Sequence, residues 1–239
     1  LLQDTSVRLL TLTGPGGTGK TRLALQAAAE VAGDYPDGTT WVGLAPLHDP
    51  GLAMPAVAQA LELREEPGRS LADTIAHALL GKSVLLVLDN AEHLMPDVAR
   101  RLAELMAACQ TVRLLVTSRE RLRLTGEAVW SVPTLSEDDS VELFLQRARA
   151  VRADFAPTTE IAEICAALDH LPLAIELAAA RTRALSPAAI LERLGRRLAL
   201  LRADALDVDA RQQTLEATIA WSYDLLDASE QRGLRALSG

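Results

Sequence analysis

Eight consecutive residues near the start of the chain combine the groups that bind phosphate, namely glycines, a lysine and a hydroxyl. They fit the pattern G-x-x-x-x-G-K-T and read Gly14-Pro15-Gly16-Gly17-Thr18-Gly19-Lys20-Thr21. Glycines permit positive φ angles, so successive backbone N–H groups converge on one anion, and a following helix adds the partial positive charge of its N-terminus. In this pattern the lysine reaches the β- and γ-phosphates and the threonine hydroxyl binds Mg²⁺. We therefore expect nucleotide binding by residues 14–21 and by Arg22, which follows them.

A carboxylate, Asp89, directly follows the apolar run 84–88. A strand that ends in aspartate can place a carboxylate at the edge of a sheet, where it holds Mg²⁺ directly or through water (the Walker B arrangement). The pattern alone is weak, because many buried strands end in aspartate. Together with the loop it predicts a Mg²⁺ site formed by Thr21 and Asp89, with Lys20 and Asp89 in catalysis.

Asn90 stands where many hydrolytic relatives of this pattern carry a second acid. An amide can orient a water molecule but cannot take its proton, so hydrolysis should be slow. The alternative is that Asn90 only caps the helix that follows it. Glu92 is a weaker candidate for the base, and His93 fits a hydrogen-bonded loop residue.

Arg119 follows the Ser/Thr pair that ends the fourth apolar run. Its fixed charge and fork of donors suit the oxygens of a γ-phosphate. The alternative is a surface arginine in a basic run with Arg121 and Arg123.

The elements that must position these residues alternate between strand and helix patterns. Strands are predicted at 7–12, 39–44, 83–88, 112–117 and 128–132, and helices at 20–32, 51–63, 71–80 and 97–108. Three of the strands are almost continuously apolar, as in strands buried on both faces of a parallel sheet. The pattern predicts a doubly wound α/β domain over residues 1–134.

Strand patterns stop after Pro133. Helices are predicted at 137–151, 159–168, 172–184 and 187–200, which form a helical domain over residues 135–203. Residues 204–213 are polar and acidic and predict a linker, and 214–237 begin a further helical unit.

Composition limits the classes of function. The formal net charge of −8 argues against an extensive basic surface for nucleic acid, so we expect no direct nucleic-acid binding by this segment. Cys109 and Cys165 lie in or beside helical patterns, where buried reduced thiols are expected. The chain has neither a signal peptide nor an apolar run of membrane-spanning length, which predicts a soluble cytoplasmic product without membrane contact.

Four segments occur together and in order: GPGGTGKT, LLVLDN, VTSR and HLPLAIELAAAR. This set resembles the STAND class of P-loop ATPases, and within it the NB-ARC-like module of bacterial transcriptional regulators of the LuxR and SARP types. Residues 211–226 resemble the entry of that group into a winged-helix domain, so residues 204–239 are interpreted as a linker and the start of this domain. The richness in Ala, Leu and Arg is typical of an actinobacterial source.

The resemblance implies a sheet of order 2-3-4-1-5 and a module that rests with ADP, opens and self-associates with ATP, and is reset by hydrolysis. It implies that Arg119 senses the γ-phosphate and that Pro172 packs near the adenine. The cofactors are then ATP or ADP with Mg²⁺, and the partners are other domains of the same polypeptide.

Three features depart from the family. His170 stands where the family usually has a glycine, which permits a left-handed turn more readily. The segment before the first strand is short and the winged helix is incomplete, which fits an excised fragment without an initiator methionine.

The leading prediction is a nucleotide-dependent switch with slow Mg²⁺-dependent hydrolysis. The alternatives are a P-loop enzyme with a second substrate, such as a kinase, and an interaction module with a vestigial loop. Intact Lys20, Thr21 and Asp89 argue against the vestigial loop.

Overall fold

The computed structural model describes residues 1–64 and 68–204 and the single positions 219 and 232, with the backbone alone at 196–204. The chain divides into two compact units. The first comprises Leu1–Gly14 and Lys20–Val132, and the second comprises Pro15–Gly19 and Pro133–Gly239. In the described part of the chain, no helix is long and apolar enough to cross a membrane.

The first unit is built on a five-stranded parallel sheet. Its strands are Leu9–Thr13 (β1), Thr39–Gly43 (β2), Leu85–Asp89 (β3), Arg113–Ser118 (β4) and Glu127–Ser131 (β5). All neighbours pair in parallel and their order is β2-β3-β4-β1-β5. This order confirms both the doubly wound sheet that the alternation predicts and the strand order that the resemblance implies. It places β4 between the strand before the glycine loop and the strand that ends in Asp89.

Helices cover both faces of this sheet. They are Lys20–Glu30 (α1), Ala53–Ala60 (α2), Leu71–Leu79 (α3) and Asp97–Ala108 (α4). Alternate strand residues face opposite sides. Leu86 and Leu88 pack with α2, α3 and α4 on one face, whereas Leu85 and Val87 pack with α1 on the other. Burial on both faces explains the continuous apolar sequence of β3.

Between Pro133 and Asp204 the second unit contains four helices, Glu137–Val151 (α5), Glu160–Ala167 (α6), Pro172–Ala180 (α7) and Pro187–Asp204 (α8). The Ser136 side chain accepts a hydrogen bond from the Asp139 N–H and caps α5. The core of this unit joins the buried side chains of Phe144, Ile164, Ile175 and Ile190. The predicted helical character of this half is confirmed as far as Asp204.

Most predicted boundaries differ from the structure by one to four residues, and the largest differences include the ends of two helices in the second unit. The helix predicted at 172–184 is α7 followed by the 3-10 turn Arg181–Arg183, and α8 continues through Asp204, one residue into the predicted linker. Helix ends depend on local capping and hydrogen bonding, which periodicity does not specify. The rest of the linker and the winged-helix start lie outside the described residues, apart from positions 219 and 232. The domain bounds at 134 and 203 remain predictions.

Candidate nucleotide-binding site

The glycine-rich loop follows the end of β1 and leads into α1. Gly17 and Gly19 have φ angles of 77° and 89°, in the left-handed region that favours glycine. A Cβ atom built on Gly19 would have no neighbour within 4 Å, so backbone conformation and not crowding requires glycine there. The Thr18 hydroxyl donates to the Pro15 carbonyl at 3.0 Å, which holds the turn together.

Lys20 is the first residue of α1, and its side chain returns to the loop. Its Nζ donates to the Gly14 carbonyl oxygen at 2.7 Å. Burial lowers the pKa of Lys20; the Glu92 and Asp89 carboxylates oppose this shift and the Arg119 guanidinium adds to it. The ammonium therefore lies in the electrostatic field of Glu92, Asp89 and Arg119, three residues that the sequence analysis considered for the site.

Asp89 receives two hydroxyl donors at the carboxyl end of β3. Thr21 Oγ1 donates to Asp89 Oδ1 at 2.7 Å, and Thr117 Oγ1 donates to the same oxygen at 2.6 Å. Thr117 is buried on β4, the strand next to β3, while Thr21 is exposed on α1. The predicted pair of Mg²⁺ ligands, Thr21 and Asp89, is thus brought into contact.

Asn90 has a left-handed φ of 67°. Its N–H donates to Thr117 Oγ1 at 2.8 Å, and its Nδ2 lies 3.2 Å from His93 Nδ1. His93 Nε2 lies 2.7 Å from the Leu47 carbonyl. Because a carbonyl only accepts, Nε2 carries the proton and Nδ1 accepts from the amide of Asn90.

The alternative of a helix cap at Asn90 is not what the structure shows. The 3-10 turn Glu92–Leu94 has Ala91 at its N-cap without a side-chain bond, and α4 has Pro96 there. The side chain of Asn90 instead fixes the ring of His93, which is hydrogen-bonded as the sequence analysis expected.

Arg119 forms an ion pair with Glu92. Arg119 Nε donates to Glu92 Oε1 at 3.2 Å, and the side chains are 55% and 16% exposed. By contrast, Arg123 pairs at 3.9 Å with Glu120, and both of these side chains are highly exposed. Arg119 thus has a more enclosed partner than Arg123 has, while its role toward a γ-phosphate and the alternative of a surface arginine both stay predictions. Sequence reasoning missed this ion pair, since only the adjacency of β3 and β4 brings the two residues together.

Pro172 begins α7 in the second unit, which also contains loop residues Pro15–Gly19. The N–H of Leu173 donates to the Gly17 carbonyl at 3.2 Å. Pro172 thus directly precedes a backbone link to the phosphate loop, while its contact with adenine stays a prediction. Arg22 is exposed on α1, and its role is likewise untested.

His170 adopts a left-handed backbone conformation, which glycine favours. Its φ is 54°, and that of the preceding Asp169 is 51°. Its N–H donates to the Cys165 carbonyl, its carbonyl accepts from the Leu135 N–H, and its Nδ1 lies 3.0 Å from Ser140 Oγ. These contacts offset the strain that a side chain brings to this region.

Comparison with known proteins finds relatives that match almost the whole chain. The HTH-type transcriptional regulator candidate Rv0890c of Mycobacterium tuberculosis is 42% identical over 236 residues, 97% of this chain and 26% of that protein. The regulatory protein AfsR of Streptomyces coelicolor is 28% identical over 242 residues, 95% of this chain and 23% of that protein. The chain spans about a quarter of the length of these two relatives.

A solved structure shares the fold. The Signal Transduction ATPase with Numerous Domains (STAND) protein PH0952 of Pyrococcus horikoshii, which has a tetratricopeptide repeat sensor, aligns with a TM-score of 0.52 and 16% identity, over 96% of this chain and 33% of that one. The sequence model of the AAA domain family matches residues 3–125, which contain the glycine loop, Asp89 and Arg119. This chain therefore belongs to the AAA domain family of P-loop proteins.

Proposed function

We propose that this chain is an adenine-nucleotide switch module of a longer regulatory protein. It binds ADP or ATP with Mg²⁺ at residues 14–21, and it hydrolyses ATP slowly. The observation that carries the proposal is the contact between Thr21 Oγ1 and Asp89 Oδ1, 2.7 Å apart, directly after the glycine loop. A hydroxyl and a carboxylate at this place are hard oxygen donors of the kind that Mg²⁺ prefers.

The residues present fit a bound nucleotide. Left-handed glycines at 17 and 19 are compatible with N–H groups that converge on phosphate, and α1 adds its N-terminal dipole. Lys20 already turns its ammonium toward the loop, where it can exchange the Gly14 carbonyl for phosphate oxygens. Mg²⁺, when bound with nucleotide, neutralises charge on the phosphates.

Slow hydrolysis follows from Asn90. Its side chain is an amide, which cannot accept a proton from water, and in this structure it donates to His93. We propose that Arg119 senses the γ-phosphate, since this residue directly follows β4 and its side chain is half exposed. Pro172 and α7 would couple the second unit to the nucleotide, because Leu173 bonds to the Gly17 carbonyl.

The relatives support a role within a larger protein. Rv0890c is described by its name as a candidate HTH-type transcriptional regulator and AfsR as a regulatory protein, and both are about four times as long as the matched segment. We propose that the partners of this chain are the other domains of its own polypeptide and, with ATP, further copies of the module. The net charge of −8 supports an output through those domains and not through direct contact with nucleic acid.

The test is to measure ATP turnover, ADP affinity and molecular mass on the same preparation. We expect turnover below about 1 s⁻¹, the low end of ordinary enzymes, tight Mg²⁺–ADP binding, and a larger species with a slowly hydrolysed ATP analogue than with ADP. Asp89→Asn should remove the Mg²⁺ dependence of ADP binding and of ATP turnover. Turnover well above that limit, or turnover that requires a second substrate, would instead support a fast NTPase or a kinase.

A further inference from the structure

Glu92 is an enclosed carboxylate to which the proposed function gives no role. It lies in the 3-10 turn Glu92–Leu94 after β3, and its side chain is only 16% exposed. Oε1 accepts from Arg119 Nε at 3.2 Å. Oε2 is buried and has no hydrogen-bond partner among the residues that the structure describes. An enclosed carboxylate oxygen without a donor is unfavourable, and such groups in native proteins call for an explanation.

Glu92 also acts electrostatically on the phosphate-binding lysine. Among the charged groups that affect the pKa of Lys20, Glu92 has the largest effect and favours the ammonium form. Lys20 hydrogen-bonds the Gly14 carbonyl and Arg119 pairs with Glu92. Thus a carboxylate of the chain itself holds the guanidinium that the proposed function assigns to a γ-phosphate.

A triphosphate and a diphosphate would affect this arrangement differently if Arg119 contacts the γ-phosphate. If Arg119 turns to the γ-phosphate, Glu92 loses its only hydrogen-bond donor among the described residues and stays negative close to a new anion. Both changes are unfavourable, because an enclosed charge has lost its partner and like charges have come together. ADP lacks the γ-phosphate, so the ion pair between Arg119 and Glu92 can persist.

We propose that Glu92 is a specificity-determining residue that competes with the γ-phosphate for Arg119 and thereby favours ADP over ATP. This inference rests on the proposed function, because it needs nucleotide at the loop and Arg119 at the γ-phosphate. It places part of the preference for ADP within the first unit itself, in two residues that follow the ends of β3 and β4.

The test compares the dissociation constants of Mg²⁺–ADP and Mg²⁺–ATPγS in the wild type and in Glu92→Gln, by calorimetric titration. Glutamine keeps the shape and removes the charge. We expect ATPγS to bind about three- to tenfold more tightly in the variant, in the range of partly exposed charge pairs, and ADP to change less than about twofold. In an Arg119→Ala background the Glu92→Gln effect on ATPγS should shrink, because the competition has been removed.

The matched control is Glu104→Gln. Glu104 is an exposed carboxylate of α4 in the same unit, paired with Arg101 at 3.7 Å. Its loss should leave both affinities unchanged. If Glu92→Gln does not fold, Glu92→Ala removes the same charge and carries the same expectation.

The outcomes separate the two hypotheses. Equal changes for both nucleotides, or weaker ATPγS binding in Glu92→Gln, would overturn the role of Glu92 while leaving the switch proposal intact. Loss of ATP turnover with both affinities unchanged would assign Glu92 to proton transfer and would also overturn the inference. If the wild type binds neither nucleotide, the proposed function itself is wrong.

Discussion

Thr117 is predicted to stabilise the first unit through its hydroxyl, and Thr117→Val tests this directly. The hydroxyl donates to Asp89 Oδ1 at 2.6 Å and accepts from the Asn90 N–H at 2.8 Å, and the residue is 1% exposed. A hydrogen bond to a charged group contributes about 1.5–3 kcal/mol and a neutral one about 0.5–1.5 kcal/mol. The added methyl of valine returns about 0.8 kcal/mol. We expect the free energy of unfolding to fall by about 1–4 kcal/mol.

Thr11 provides a matched control in the same sheet. It is fully buried in β1, and its Oγ1 has no hydrogen-bond partner in the described part of the chain. Thr11→Val makes the same chemical change but removes an unpaired hydroxyl, so it should stabilise the unit by about 1 kcal/mol. The two substitutions are therefore predicted to have opposite signs.

Urea unfolding followed by tryptophan fluorescence measures both effects. Trp41 and Trp130 lie in β2 and β5, so they report on the first unit; Trp221 can be replaced by phenylalanine in all variants. Midpoints should move in opposite directions at unchanged m-value. A Thr117→Val effect below about 0.5 kcal/mol, the size of ordinary surface changes, or equal shifts for both variants would refute the hydrogen-bonding argument.

Four further results are expected. Arg119→Ala should weaken ATP binding and leave ADP binding almost unchanged, and equal losses would place Arg119 away from the γ-phosphate. Asn90→Asp should raise ATP turnover by supplying a base; unchanged turnover would show that water activation is not limiting. Burial raises the pKa of the Cys165 thiol to about 12 and also raises that of Cys109, so both stay protonated at pH 8 and should react with a disulfide reagent only after unfolding; rapid labelling of the native chain would contradict this burial. Deletion of residues 207–239 should leave the sheet folded, because all five strands precede Pro133; loss of the β-sheet signal would show that the tail belongs to the core.

Periodicity and motif spacing predict the elements that carry the site. The apolar run before Asp89 is β3, and the helices predicted at 97–108 and 137–151 have the same bounds in the structure. These elements have strong local signals, since a strand buried on both faces is continuously apolar and Ser136 caps the second helix. The strand predicted at 7–12 is instead Leu9–Thr13, because pairing with β4 and β5 sets its limits.

Contacts between distant residues could not be predicted in the same way. Glu92 and Arg119 are 27 positions apart, and Thr117 and Asp89 are 28 apart. Each pair depends on which strands are neighbours in the sheet and on the turns that follow them. Local sequence carries no signal for either contact, although the strand order implied by the family resemblance narrows the choice.

The most direct test of the central claim is the affinity of Mg²⁺–ADP for Lys20→Ala compared with Lys82→Ala, measured by titration of a fluorescent ADP analogue. Lys82 is the only other lysine of the chain and is exposed in the turn between α3 and β3. Loss of the Lys20 ammonium should weaken the free energy of ADP binding by about 1–3 kcal/mol, or roughly 5- to 150-fold in affinity. The loss should lie at the lower end of this range if the phosphates only replace the Gly14 carbonyl as the hydrogen-bond partner of Lys20. Lys82→Ala should bind like the wild type. Equal affinities of Lys20→Ala and Lys82→Ala would contradict the assignment of residues 14–21 as the phosphate-binding loop.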